Sequence, residues 1–145
     1  MTARSRRRWP GEEGSAALEL VILAPVLLAL LGLVIAAGRT SIAQGSVDAA
    51  ARDAARQASI ALTPAPASLA GELSARAALR RDGLDCSPAV IVDTGQFSIP
   101  PGRPAAVTAT VTCAVSLASL TLPGLPGTAR LRATFTSPLD IYRSR

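Results

Sequence analysis

Between Leu20 and Gly38 the chain runs through nineteen residues, LVILAPVLLALLGLVIAAG, without a charge. A soluble amphipathic helix of that length carries a polar stripe recurring every three to four positions, and this run has none. At about 1.5 Å per residue it spans roughly 28 Å, close to the hydrocarbon thickness of a bilayer. The pattern predicts a transmembrane helix, with Glu19 at its leading edge and Arg39 closing it. Pro25 is tolerated inside such a helix and bends it locally.

Beyond Arg39 a helical period continues. Val47, Ala51, Ala54, Ala58 and Leu62 form one mildly apolar stripe at spacings of four, three, four and four. Asp48 with Arg52, and Asp53 with Arg56, stand one turn apart on the other side and are expected to pair. Because the stripe is mostly alanine, it allows close packing but buries little area per residue. A helix from about Ser15 to Leu62 would be ~70 Å long. The segment TPAPA, residues 63–67, is expected to break it. A second, shorter helix is predicted over Leu69–Arg81, with Ser68 as its N-cap, Glu72 in its first turn and Arg80 and Arg81 at its end. Asp82-Gly83 terminates it.

The period then drops to two. Ala89–Val92 is a short apolar run, and 98–104 reads as a turn. Along 105–117, Val107, Ala109, Val111, Cys113, Val115 and Leu117 face one way, and Thr108, Thr110, Thr112 and Ser116 the other. After the loop TLPGLPG, residues 128–136 repeat this pattern, with Leu131, Ala133 and Phe135 inward and Arg130, Arg132 and Thr134 outward. Two or three antiparallel strands with one wet face would pack their dry face on the helices. The fold class predicted is α+β: a long N-terminal transmembrane helix with an extracytoplasmic extension, a short second helix and a small antiparallel sheet. The organisation expected is a cytoplasmic leader over 1–14, the transmembrane helix over 15–38, the helical extension over 39–62 and a small head over 63–145.

Charge sets the orientation. Arg4, Arg6, Arg7 and Arg8 precede the span, which places the N-terminus in the cytoplasm and residues 39–145 outside it. Hydrophobic residues are 49% of the 145 and charged ones 17%, and much of the apolar excess sits in the span. A net charge of +5 raises the question of nucleic acid. The aromatics that stack on bases are scarce, namely Trp9, Phe97, Phe135 and Tyr142, so no nucleic-acid partner is expected.

The chain contains no histidine, the commonest general base and metal ligand. It shows neither a nucleophile elbow nor a phosphate-cradling glycine loop. Catalysis, a metal and a cofactor are therefore not expected. Two cysteines, Cys86 and Cys113, are too few for a zinc site. In an oxidising compartment they can form a disulfide closing a loop of about 27 residues, worth roughly 3 kcal/mol. The alternative is two separate buried thiols behaving as small hydrophobes.

Glu19 asks for its own explanation, because a carboxylate within the hydrocarbon costs about 2.5 to 3.5 kcal/mol at mid-bilayer and less near the interface. One reading is that it only marks the boundary, together with Glu12 and Glu13. Its context suggests another. A basic leader ends in Gly14, Ser15-Ala16-Ala17-Leu18-Glu19 follows, and the apolar run begins at Leu20. This arrangement resembles the processing site of type IV prepilins, where a membrane-embedded prepilin peptidase cuts after the glycine. The resemblance implies a cut between Gly14 and Ser15 and makes Glu19 the fifth mature residue. A new ammonium on Ser15 would then lie one helical turn from Glu19 on the same face. Glu19 is thereby positioned to neutralise its own N-terminus or a neighbouring subunit's, the second being the assembly role implied for the pilin glutamate.

The longer phrase GSAALELVILAPVLLALLGLV is similar to a narrower group, the TadE-like minor pseudopilins of tight-adherence (Tad) pilus systems, with Pro25 and Gly32 where such sequences commonly carry them. That resemblance covers about residues 11–40. It implies a structural subunit of a pilus or secretion apparatus. The implied partners are a prepilin peptidase, other minor pseudopilins, the major pilin, membrane lipid and an inner-membrane assembly platform powered by a cytoplasmic ATPase. A minor role is implied because Tad major pilins are usually much shorter, with little or no head. Two other readings compete. The first is a secretory signal peptide cleaved near Ala36-Ala37-Gly38, releasing a disulfide-stapled binding protein. The second is a plain single-pass anchor, whose Gly32 and Ala36 would let two spans approach closely.

Overall fold

The computed structural model describes residues 13–116 and 127–142 of the chain. The leader up to Glu12, Leu117 and the loop over 121–126 lie outside the described residues. The fold is α+β, with element order helix, helix, strand, 3-10 turn, strand, strand. By compactness the chain divides into two units, Met1–Ile35 and Ala36–Arg145.

Helix α1 covers Glu13–Ile60, with Pro25 inside it. In the first unit its large apolar side chains from Leu20 to Ile35 are 49–71% exposed. Leaving that much apolar surface in water is unfavourable, so this part of the helix calls for an apolar surrounding. One stretch of eighteen residues reaches a mean hydropathy of 3.0 with none of it buried. Pro25 contributes no N–H, so the Val21 carbonyl lacks its usual donor one turn on.

In the second unit α1 reverses character. Ala43, Val47, Ala50, Ala51, Ala54, Ala55 and Ala58 are all buried, a broader face than the single stripe read from the spacing, while Leu62 is 59% exposed. The surface ion pairs differ from expectation. Asp48 accepts from the Gln44 amide at 3.1 Å. Arg52 lies 6.0 Å above the Phe135 ring. Asp53 pairs at 3.5 Å with Arg81 of the second helix. Partners supplied by packed elements displaced those available one turn away.

Helix α2, Pro64–Arg81, starts five residues earlier than expected. The break is only Ala61–Thr63, and Thr63 rather than Ser68 is the N-cap. A helix's first N–H groups have no internal acceptor, so prolines cost little there, and Pro64 and Pro66 begin the helix instead of ending one. The Ser68 hydroxyl bonds back to the Pro64 carbonyl at 3.2 Å. Glu72, now mid-helix, pairs with Arg76 at 2.7 Å. At the C-terminus Gly83, with φ of 71°, accepts the left-handed conformation. The Gly83 N–H then reaches the Arg80 carbonyl at 3.1 Å and the Leu84 N–H the Leu79 carbonyl at 2.9 Å, a Schellman closure.

Strands β1 (Ala89–Asp93), β2 (Ala106–Ser116) and β3 (Thr128–Pro138) form an antiparallel sheet in the order β1-β2-β3. Its register sets Val111 against Val90 and Ala133, and Cys113 against Leu131. Val107, Ala109, Val111, Cys113 and Val115 are buried, so β2 alternates as its sequence says. On the wet face, the hydroxyls of Thr108 and Thr136, and of Thr110 and Thr134, stand 3.0 Å apart. Phe135 shares the inner face with its partner Ala109, yet is 41% exposed. Its strand is at the sheet edge, and the Arg52 guanidinium, rather than more core, covers the ring.

The core has two lobes. One joins the alanine face of α1 to Ala75, Ala78 and Leu79 of α2 and to the centre of the sheet. The other gathers Ala58, Ala67, Phe97, Ala105, Val107 and Leu139. Phe97 enters it from the 3-10 turn Gly95–Ser98, which the Asp93 carboxylate opens by accepting the Gly95 N–H at 2.9 Å. Cys86 and Cys113 are joined by a disulfide, with Cα atoms 5.9 Å apart.

Candidate functional site

The residues singled out for chemistry fall in two places. Gly14, Ser15 and Glu19 lie at the start of α1, whereas Cys86 and Cys113 staple the second unit.

At the start of α1, composition decides the local structure. Small and apolar residues with good helix propensity run from Ser15 to Leu18, and the uncharged span follows. The Gly14–Ser15 peptide lies in the first turn of the helix that begins at Glu13. The N–H groups of that turn have no acceptor within the helix. Opening the backbone there therefore breaks fewer hydrogen bonds than opening it anywhere deeper. Ser15 and Glu19 are four residues apart on the same helix, hence on one face. Glu19 is exposed and, among the described residues, has no ion pair.

The second unit presents two open hollows. One, of about 620 Å³, is lined by Arg76, Leu79, Arg80, Leu84, Asp85 and Cys86 at the end of α2. The other, of about 560 Å³, is lined by Ile60, Leu62, Leu139, Asp140 and Tyr142 beyond the end of α1.

A family model described as TadE-like protein matches residues 14–56. Over that stretch the chain is similar to TadE-like proteins. Its match starts on Gly14 and runs through the apolar span and most of the alanine face of α1, leaving α2 and the sheet beyond it. Neither a curated protein nor a solved structure matches the chain. The resemblance carried by GSAALELVILAPVLLALLGLV thus stands, and it extends farther along α1 than the phrase itself. The matched stretch includes the apolar part of α1, which is long and apolar enough to cross a membrane.

Sequence reasoning missed Gly71. A Cβ there would meet the Val92 side chain at 2.9 Å and the Ala54 carbonyl oxygen at 3.2 Å, so the glycine sets how closely α2 approaches α1 and β1. The available signal was a glycine flanked at four-residue spacing by Ala67 and Ala75, both buried.

Proposed function

We propose that the chain is a minor pseudopilin of a Tad-type pilus or secretion apparatus, trimmed by a prepilin peptidase between Gly14 and Ser15 and assembled through α1. The observation that carries this reading is the TadE-like match opening on Gly14, with Glu19 one turn beyond Ser15 and directly before an uncovered apolar span. In this reading the span is held in the cytoplasmic membrane with the leader inside, as its four arginines favour. The head stands outside, where its disulfide is stable. Cleavage creates the ammonium that Glu19 lacks, either within its own chain or on the neighbouring subunit, and the second pairing sets register between subunits. The partners are the peptidase, the sister minor pseudopilins, the major pilin, membrane lipid and the inner-membrane assembly platform.

One observation favours a second reading. The small residues Ala36-Ala37-Gly38 at the end of the uncharged run are of the kind a signal peptidase accepts. Cleavage there would release the head as a secreted binding protein.

Intact mass and N-terminal sequencing of the protein from host membranes separates the two. A mature chain beginning at Ser15, with or without a methylated amine, is expected. A start near Arg39 would establish the secreted reading, and an untrimmed chain would reduce α1 to a plain anchor.

A further inference from the structure

The two sulfurs of the disulfide have unlike surroundings. Cys113 sits in the middle strand β2, opposite Leu131 of β3, and is 0% exposed. It belongs to the larger lobe of the core, with Ala78, Leu79, Val111 and Val115. Cys86 lies instead on the connection from α2 to β1, three residues ahead of the strand. Its N–H reaches back to the Leu84 carbonyl at 3.1 Å, just past the closure of α2. It is only partly buried, and Asp85 and Ser87 on either side of it are exposed. Cys86 also lines the open hollow of about 620 Å³ at the end of α2, together with Leu79, Leu84 and Pro88, whereas Cys113 is not part of its wall.

This asymmetry decides how the bond can react. Thiol–disulfide exchange begins when a thiolate attacks one sulfur and expels the other, and its rate depends on which sulfur can be reached. The thiolate approaches along the S–S axis, from the side opposite the leaving sulfur. For Cys86 that approach is made from the connection and its hollow. For Cys113 it would have to be made through the packed core, where there is no room for another sulfur.

We propose that Cys86 is a thiol-exchange site: a low-molecular-weight thiol of the glutathione type attacks Cys86 Sγ, and the staple opens and re-forms through a mixed disulfide on that residue. In the opening direction the thiolate bonds to Cys86 Sγ as the bond to Cys113 breaks. Cys113 leaves as a thiolate and takes a proton from water. A second small thiol attacks the small-molecule sulfur, freeing Cys86 and carrying off the small-molecule disulfide, so that the protein gains the two electrons the thiols lose. Closure runs the same steps backward, with Cys113 as the buried thiol that resolves the mixed disulfide. The inference concerns the head alone and needs neither a membrane around the span nor cleavage after Gly14, so it and the pilus reading fail separately.

The test takes the oxidised full chain in detergent micelles, adds a small excess of reduced glutathione, quenches in acid at early times and locates the glutathionyl group by peptide mapping. The adduct is expected on Cys86 in at least about tenfold excess over Cys113, because attack on Cys113 waits for the core to open. Single variants approach the same question from the other direction. With oxidised glutathione, Cys113→Ala should acquire one glutathionyl group, and Cys86→Ala none until denaturant is added. Should either variant misfold, the map of the unmodified chain decides alone. Adducts divided equally between the two cysteines, or mostly on Cys113, would overturn the proposal. So would the lack of any adduct below denaturing conditions, which would mark a bond closed to thiols from both sides.

Discussion

Glu19 is one carboxylate in a run that otherwise tolerates none, and its position four residues after Ser15 was readable because helix geometry alone puts the two on one face. Glu19→Gln keeps the shape and removes the charge. Membrane insertion should persist while co-assembly with the partner subunits falls, as read by co-purification from detergent-solubilised membranes. Undiminished co-assembly would strip Glu19 of the register role. Gly14→Leu should leave the leader attached, visible as an unshifted mass, because a bulky side chain fills the space a peptidase needs beside the bond. Gly71 was not readable, since the atoms that crowd it belong to Val92 and Ala54, distant along the chain. Ala54 offers a backbone oxygen there, which cannot rotate aside. Gly71→Ala should therefore cost about 1 to 3 kcal/mol through overpacking, despite better helix propensity. Denaturant unfolding of the variant checks the sign, and a stabilised protein would mean that α2 shifts freely.

For whole elements, period was a better guide than punctuation. The alternation over β2 gave the inward side of every described residue from Val107 to Val115 correctly, because a half-buried strand admits no other register. The prolines of TPAPA misled, since the same residue that stops a helix in its interior starts one in its first turn. The disulfide joins the loop after α2 to the middle strand and closes 27 residues of sequence separation. Replacing both cysteines, Cys86→Ser with Cys113→Ala, should lower stability by about 3 to 4 kcal/mol in the chain-entropy account. Comparing denaturation midpoints of the variant and the parent checks this, and coincident midpoints would make the bond incidental. The paired surface charges show the opposite limit. Asp53 had Arg56 within one turn but took Arg81 across the helix interface. Exposed pairs differ by so little that tertiary neighbours decide among them.

At the scale of the molecule, every buried apolar residue among those described lies between Ala43 and Leu139, inside the second unit. The first unit buries none of its described apolar side chains and depends on an apolar surrounding. A fragment over 39–145, made in an oxidising compartment, should therefore stay soluble and unfold in one cooperative transition by circular dichroism. A broad, non-cooperative melt would show that the head depends on the span.

The apolar span and the two faces of the long strands were determined by the sequence alone, because each is a matter of spacing within one element. Spacing says which residues share a face. It does not say what covers that face. The pairing of Cys86 with Cys113, the seat of Phe97 in the core, the capping of Phe135 by Arg52 and the close approach at Gly71 join residues far apart in the chain. Those were decided only when α1, α2 and the sheet closed on one another, since the energy of each contact depends on two elements meeting at a particular distance.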